Sequence, residues 1–193
     1  MVIVSDQRKP LYEGRKVTFE EYMNLPDDGF RYEITEGIMN MMLPAPFKKH
    51  QKLIVRFSQI LSNYLDENPI GIVYVAPRDV KFSETITRQP DIIYISNERL
   101  EIDKDNEIEG TPDFIIEILS PGTFGKDIRD KYLIYERFGV KEYWIINPDN
   151  INSSEFYYLE GNKYTQFYPD KSIIYSKVIT GFSVDLKKLE AYL

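Results

Sequence analysis

Apolar positions along the chain change spacing several times, and each change predicts a different element. In residues 47–66, Leu53, Phe57, Ile60, Leu61, Tyr64 and Leu65 recur at helical spacing, which predicts a long amphipathic helix. "TFEEYMNL" (18–25) carries Thr18 with Glu21 three positions on, a capping box, and stops before Pro26, so a short helix is expected there. "RYEITEGIMNMM" (31–42) alternates around Glu36-Gly37 and predicts a hairpin. After Asn68-Pro69, strands are expected near 71–76, 78–82 and 91–95. The polar, acidic stretch 96–110 reads as a surface loop with room for one helical turn. A strand at 113–119, a helix over 126–138 ending at Gly139, and a strand at 141–148 follow. "EFYYLEGNKYTQFY" (155–168) predicts an aromatic hairpin turning at Gly161-Asn162, and Asp185 is placed to cap a closing helix.

This order predicts an α/β or α+β fold in which one mixed sheet carries packed helices. The 193 residues show no repeat, linker or composition shift, so a single domain over 1–193 is expected. Cys is absent, which excludes disulfides and thiolate metal sites and is compatible with a reducing cytoplasm. The start of the chain is too short and too weakly apolar for a signal peptide, and no run reaches transmembrane length. A cytoplasmic location without a membrane partner is therefore expected. The net charge of −7 argues against a generic nucleic-acid coat, though an acidic site rimmed by a local basic patch is compatible with it.

One strand changes the picture. "TPDFIIEILS" (111–120) is apolar on both faces except for Glu117. A lone buried carboxylate costs several kcal/mol unless it is protonated, paired or bound to a metal. Two readings fit Glu117: half of a structural ion pair, or a ligand. A second acid, Asp91 in "QPDIIYIS", stands at the start of another apolar strand, where Pro90 cannot donate to a ladder. Asp91 is either a turn acid capping its loop or, if the two strands are neighbours, the partner of Glu117; Asp113, in the second "PD" dipeptide, shares the capping reading. Two converging carboxylates repel, and a divalent cation removes the repulsion. With no Cys and a single His, an oxygen-only donor set favours Mg²⁺ or Mn²⁺ over Zn²⁺. Lys131 shares a helix face with Ile134 and Phe138 and either points at this site or pairs with Asp127.

"QPDIIYIS", "TPDFIIEILSPGT" and "KDIRDKYLIYERFGVKEYWIINP" resemble a large bacterial family of restriction-endonuclease-like proteins within the PD-(D/E)XK superfamily. The resemblance runs from about Phe19 to the C-terminus and includes "YEITEG" and "HQKLIVRFSQIL". It implies a restriction-endonuclease-like fold, with a central mixed sheet flanked by helices, and a Mg²⁺- or Mn²⁺-dependent endonuclease that hydrolyses DNA by metal-activated water. Asp91 and Glu117 match the metal-binding acids; Glu33, whose alternation with Arg31 and Thr35 by itself reads as a solvent face, matches a further family acid that would provide a third carboxylate near the metal. The lysine of the E-x-K pattern is replaced by Leu119, and Lys131 falls at the position that supplies the cation from the following helix, with Lys126 a weaker candidate. A histidine matches at His50, where the residues by themselves read as a core or capping histidine and the resemblance implies a supporting role. A homodimer fits this kind of fold. Two rivals stand beside this reading: a nuclease-fold module that binds nucleic acid or protein without cutting, and a hydrolase of another phosphoester.

"PGTFGKD" does not meet the spacing of a phosphate loop. Lys48, Lys49, Lys52 and Arg56, with Arg78, Lys81 and Arg88, read either as phosphate contacts or as solvated faces. The 15 Tyr and 11 Phe fall mostly on alternating strands and are expected in packing rather than base stacking.

Overall fold

The computed structural model describes residues 9–42, 48–120 and 126–193. Helix α1 (Phe19–Met23) precedes a hairpin of β1 (Tyr32–Thr35) and β2 (Ile38–Met41). Helix α2 (Lys48–Glu67) leads into β3 (Gly71–Val75), β4 (Asp79–Ser83), β5 (Ile86–Arg88) and β6 (Ile92–Ser96). A 3-10 segment, Asn97–Ile102, and β7 (Glu107–Glu109) come before β8 (Phe114–Ile118). The chain continues through α3 (Lys126–Phe138), β9 (Glu142–Ile146), β10 (Glu155–Glu160), β11 (Lys163–Phe167), β12 (Ile173–Tyr175), β13 (Ser183–Asp185) and α4 (Leu186–Ala191).

Local signals account for many of these boundaries. Thr18 Oγ1 accepts from Glu21 N and the Glu21 carboxylate accepts from Thr18 N, which completes the capping box of α1. Glu36 and Gly37 both take positive φ, 49° and 77°, as a two-residue hairpin turn requires. Gly139 closes α3 at φ 83°, where a side chain would be strained. Asp185 caps α4 by accepting from Lys187 N.

Among the described residues, six strands form a central mixed sheet in the order β11-β10-β9-β8-β6-β3, in which only β8 and β9 run parallel. Helix α3 makes that parallel crossover. The expectation of one sheet carrying all the strands needs correcting. β2-β1-β5-β4-β7 form a second, five-stranded sheet, and β12 pairs with β13 separately. The stretch 96–110 is also more than a loop, because β7 pairs in parallel with β4. Its pairing partner lies too far back along the chain for a local pattern to reveal it.

The middle strands β6, β8 and β9 of the central sheet are buried on both faces. Phe114, Ile116 and Ile118 of β8 pack with Leu53, Phe57 and Trp144 on the α2 side, while Ile115 and Leu119 pack with Ile134, Tyr135 and Tyr143 on the α3 side. Glu117 therefore shares the parity of Ile115 and Leu119 and is directed toward α3. The predicted helix face holds: Leu53, Phe57, Leu61 and Leu65 are buried, and Ile60 and Tyr64 are partly so. The aromatic hairpin also packs as expected, with Tyr157 and Tyr164 edge-on to Tyr132 of α3.

Candidate active site

The register of β6 and β8 brings the two acids together. Ile92 pairs with Ile116, so the next position outward sets Asp91 opposite Glu117. Asp91 is tied to that neighbour strand by the Ile118 N–H, which donates to its Oδ2 at 2.8 Å. On the same oxygen, His50 Nε2 sits at 3.1 Å from the first turns of α2.

Glu117 meets α3 from below. Lys131 Nζ donates to its Oε2 at 2.9 Å and the Tyr135 hydroxyl to its Oε1 at 2.7 Å. Lys131 and Tyr135 are four positions apart, hence on one face of the helix. Glu117 is 4% exposed and Lys131 8%. Burial pushes the Glu117 carboxyl up to about 8, with the nearby Asp91 charge adding to the push and Lys131 and Tyr135 opposing it. For Lys131, burial works against the charge, but Glu117, Glu33, Asp127 and Asp91 outweigh it and hold the amine above the ordinary lysine value. Burial and the Glu117 charge likewise raise the Tyr135 phenol well above its usual range, so it stays a donor. Both sequence readings of Lys131 hold in part, since Asp127 Oδ2 lies 3.8 Å away. The amine is directed into the site, and its shorter contact is with Glu117.

Glu33 comes from the second sheet. Its Oε1 accepts from Gln89 N at 3.0 Å, and Arg88 Nε stands 3.8 Å from Oε2. A cavity of about 350 Å³ is lined by Glu33, His50, Asp91, Glu117, Ile118 and Lys131, with Arg31 also on its wall. All four residues singled out in the sequence thus share one cavity, and His50 joins them. The side chain of Lys126 and residues 121–125 of "PGTFGKD" lie outside the described residues.

Sequence reasoning missed three features. Tyr135 looked like core; the available signal was its position one helical turn after Lys131. Arg31 was passed over although it adjoins "YEITEG". Arg88 was taken as a phosphate contact or a solvated charge and is neither. It is 3% exposed and donates to the carbonyls of Ile34 and Thr87. Arg78 is likewise a strap, bonded to Asp103 and to the carbonyls of Lys104, Asp105 and Glu107. Lys49 pairs with Asp149, and Lys52 donates to the carbonyls of Tyr192 and Leu193. Asp113 is the capping acid expected: its Oδ2 accepts from Ser96 N and Oγ, and Lys141 Nζ sits 2.8 Å from Oδ1.

Among the described residues, no three His, Cys, Asp or Glu side chains form a metal-holding cluster. The donor set is a pair of carboxylates, one of them deeply buried and disfavoured as an anion, and the other with its Oδ1 free of hydrogen bonds within the described structure. That set fits a hard divalent cation, which takes one or two carboxylates and keeps several waters. It does not fit a tetrahedral nitrogen–sulfur site.

Asp91, Glu117 and Lys131 thus line one cavity at the end of a mixed sheet flanked by helices. The chain belongs to the Uma2 family, described as putative restriction endonuclease, whose model matches residues 19–187. Among solved structures it is similar to a putative nuclease belonging to DUF820 from Anabaena variabilis ATCC 29413. The two share 22% sequence identity, with a TM-score of 0.74 over 91% of this chain and 98% of that one, a likeness of fold. No curated relative matches the chain. Among the described residues, no helix is long and apolar enough to cross a membrane.

Proposed function

We propose that the protein is an endonuclease that hydrolyses DNA phosphodiester bonds with the help of Mg²⁺ or Mn²⁺. The observation that carries this reading is the meeting of Asp91, held by Ile118 N at 2.8 Å, with Glu117 and with Lys131, 2.9 Å from Glu117, in one cavity. Asp91 and Glu117 would hold the cation, with the carbonyl of Ile118 as a further oxygen donor. When bound, such an ion lowers the pKa of coordinated water and offsets charge on the phosphorane. Lys131 supplies a fixed positive charge beside the scissile phosphate and an N–H that orients the attacking water. Glu33, on the wall of the cavity with its Oε1 held by Gln89 N, would tune the metal or hold a water beside it. The buried setting of these charges strengthens each of these interactions relative to water.

The competing reading, a nuclease-fold module that binds without cutting, draws on Leu119, which stands where an E-x-K lysine would be. One experiment separates them: isothermal titration of Mg²⁺ and Mn²⁺ into wild type and Glu117→Gln, with plasmid cleavage on the same samples. The expected result is cation binding and cleavage by the wild type. In the variant, cleavage is lost and affinity falls by more than about 100-fold, beyond the range seen for outer partners of metal ligands. Cation binding without cleavage of any DNA would favour the binder. Absence of cation binding by the wild type would leave Glu117 as half of a structural ion pair.

A further inference from the structure

Each of the paired acids is gripped by a side chain from a different helix, on opposite faces of the central sheet. From α2, His50 reaches Asp91 Oδ2 at 3.1 Å; from α3, the Tyr135 hydroxyl reaches Glu117 Oε1 at 2.7 Å. Both donors are removed from solvent, His50 at 4% exposure and Tyr135 at 0%. Their helices are fixed by the packing of Leu53 and Phe57 on one side and Ile134 on the other. Both contacts end on the carboxylates of the site.

We propose that His50 and Tyr135 are positioning residues that set the orientation of the two cation-binding carboxylates. This rests on the reading of the site as a metal-dependent nuclease centre. The geometry at Asp91 is directional. Oδ2 takes both the His50 contact and the Ile118 N–H, and Oδ1 is left without a hydrogen bond within the described structure. His50 Nδ1 is buried without a partner, which leaves Nε2 as the ring nitrogen that engages Asp91. At Glu117, Tyr135 holds Oε1 while Lys131 holds Oε2, which fixes the carboxylate plane and leaves its remaining lone pairs for the cavity. A cation that binds through few protein oxygens depends strongly on how those oxygens are aimed, and outer donors of this kind are the usual means of aiming them.

The test is calorimetric titration of Mg²⁺ and Mn²⁺ into full-length His50→Ala, His50→Gln and Tyr135→Phe, beside wild type, with metal-free melting curves for each. His50→Ala is expected to weaken binding about 10- to 100-fold, and Tyr135→Phe by about 10-fold. His50→Gln places an amide N–H within reach of Asp91 and is expected to recover most of the lost affinity. A purely structural role would instead lower the melting temperature of the variants and leave the affinity of the folded protein unchanged, which overturns the proposal. So does His50→Gln binding as poorly as His50→Ala. A wild type that binds neither ion overturns the nuclease reading and the positioning roles with it. A wild type that binds normally beside unaffected variants overturns the positioning roles alone.

Discussion

Asp91 and Glu117 stand opposite each other one step beyond the Ile92–Ile116 pair of β6 and β8, and Lys131 answers their combined charge from α3 at 2.9 Å from Glu117. Glu117 and Lys131 are both buried at the sheet's end, so each depends on the other for its charge state.

Lys131→Met and Glu117→Gln are expected to be non-additive. The first leaves Glu117 beside Asp91 with no cation, and the second leaves a buried ammonium without its nearest counter-charge. The double variant removes both stranded charges, so its cost falls short of the summed single costs by about 1–3 kcal/mol. Urea denaturation of the four proteins at neutral pH measures the coupling. Strict additivity would mean that the pair contributes nothing by its contact.

Asp113 predicts an acid-side pH dependence. Burial works against its charge, but Lys141 and the two donors of Ser96 outweigh it and hold the carboxyl below its ordinary 3.8. The folded value lies below the unfolded one, so this stabilisation is fully present above about pH 4 and is lost as pH falls through the folded value. Asp113→Asn should be less stable than wild type by about 1–3 kcal/mol at pH 7, with the gap narrowing toward pH 2. Denaturation at a series of pH values checks both the size and the direction. A gap that widens on acidification would contradict the assignment.

Arg88 is expected to act as a structural residue. Removing its guanidinium strands the carbonyls of Ile34 and Thr87 and takes the counter-charge from Glu33. Arg88→Met should cost about 3 kcal/mol in stability. The salt dependence of DNA binding by the folded variant should match wild type, because a buried group releases no phosphate counterions. A reduced salt slope would return Arg88 to the phosphate-contact reading.

Legibility in the sequence tracked the range of the interaction concerned. The capping box at Thr18 and Glu21, the Glu36-Gly37 turn, the apolar stripe of α2 and the stop at Gly139 all act within a few residues, and all were readable. β5, β7, β12 and β13 were not, because strands of three residues carry no periodicity of their own and are defined by partners elsewhere in the chain. For the site, Glu117 announced itself as a polar residue in an apolar strand. Asp91 and Lys131 were candidates from their places on strand and helix, each beside an ordinary alternative, and Glu33 was picked out by resemblance.

What the sequence by itself determined is the set of locally encoded elements, their order, and the anomaly of one glutamate in a buried strand. What only the tertiary structure decided is who meets whom: Asp91 opposite Glu117, His50 and Tyr135 arriving from opposite faces, Arg88 turned inward, and two sheets where one was expected. Helix stripes, caps and turns are fixed by neighbours along the chain. Charge partners and strand pairings arise from registers between segments tens of residues apart, and they appear only when the chain has folded.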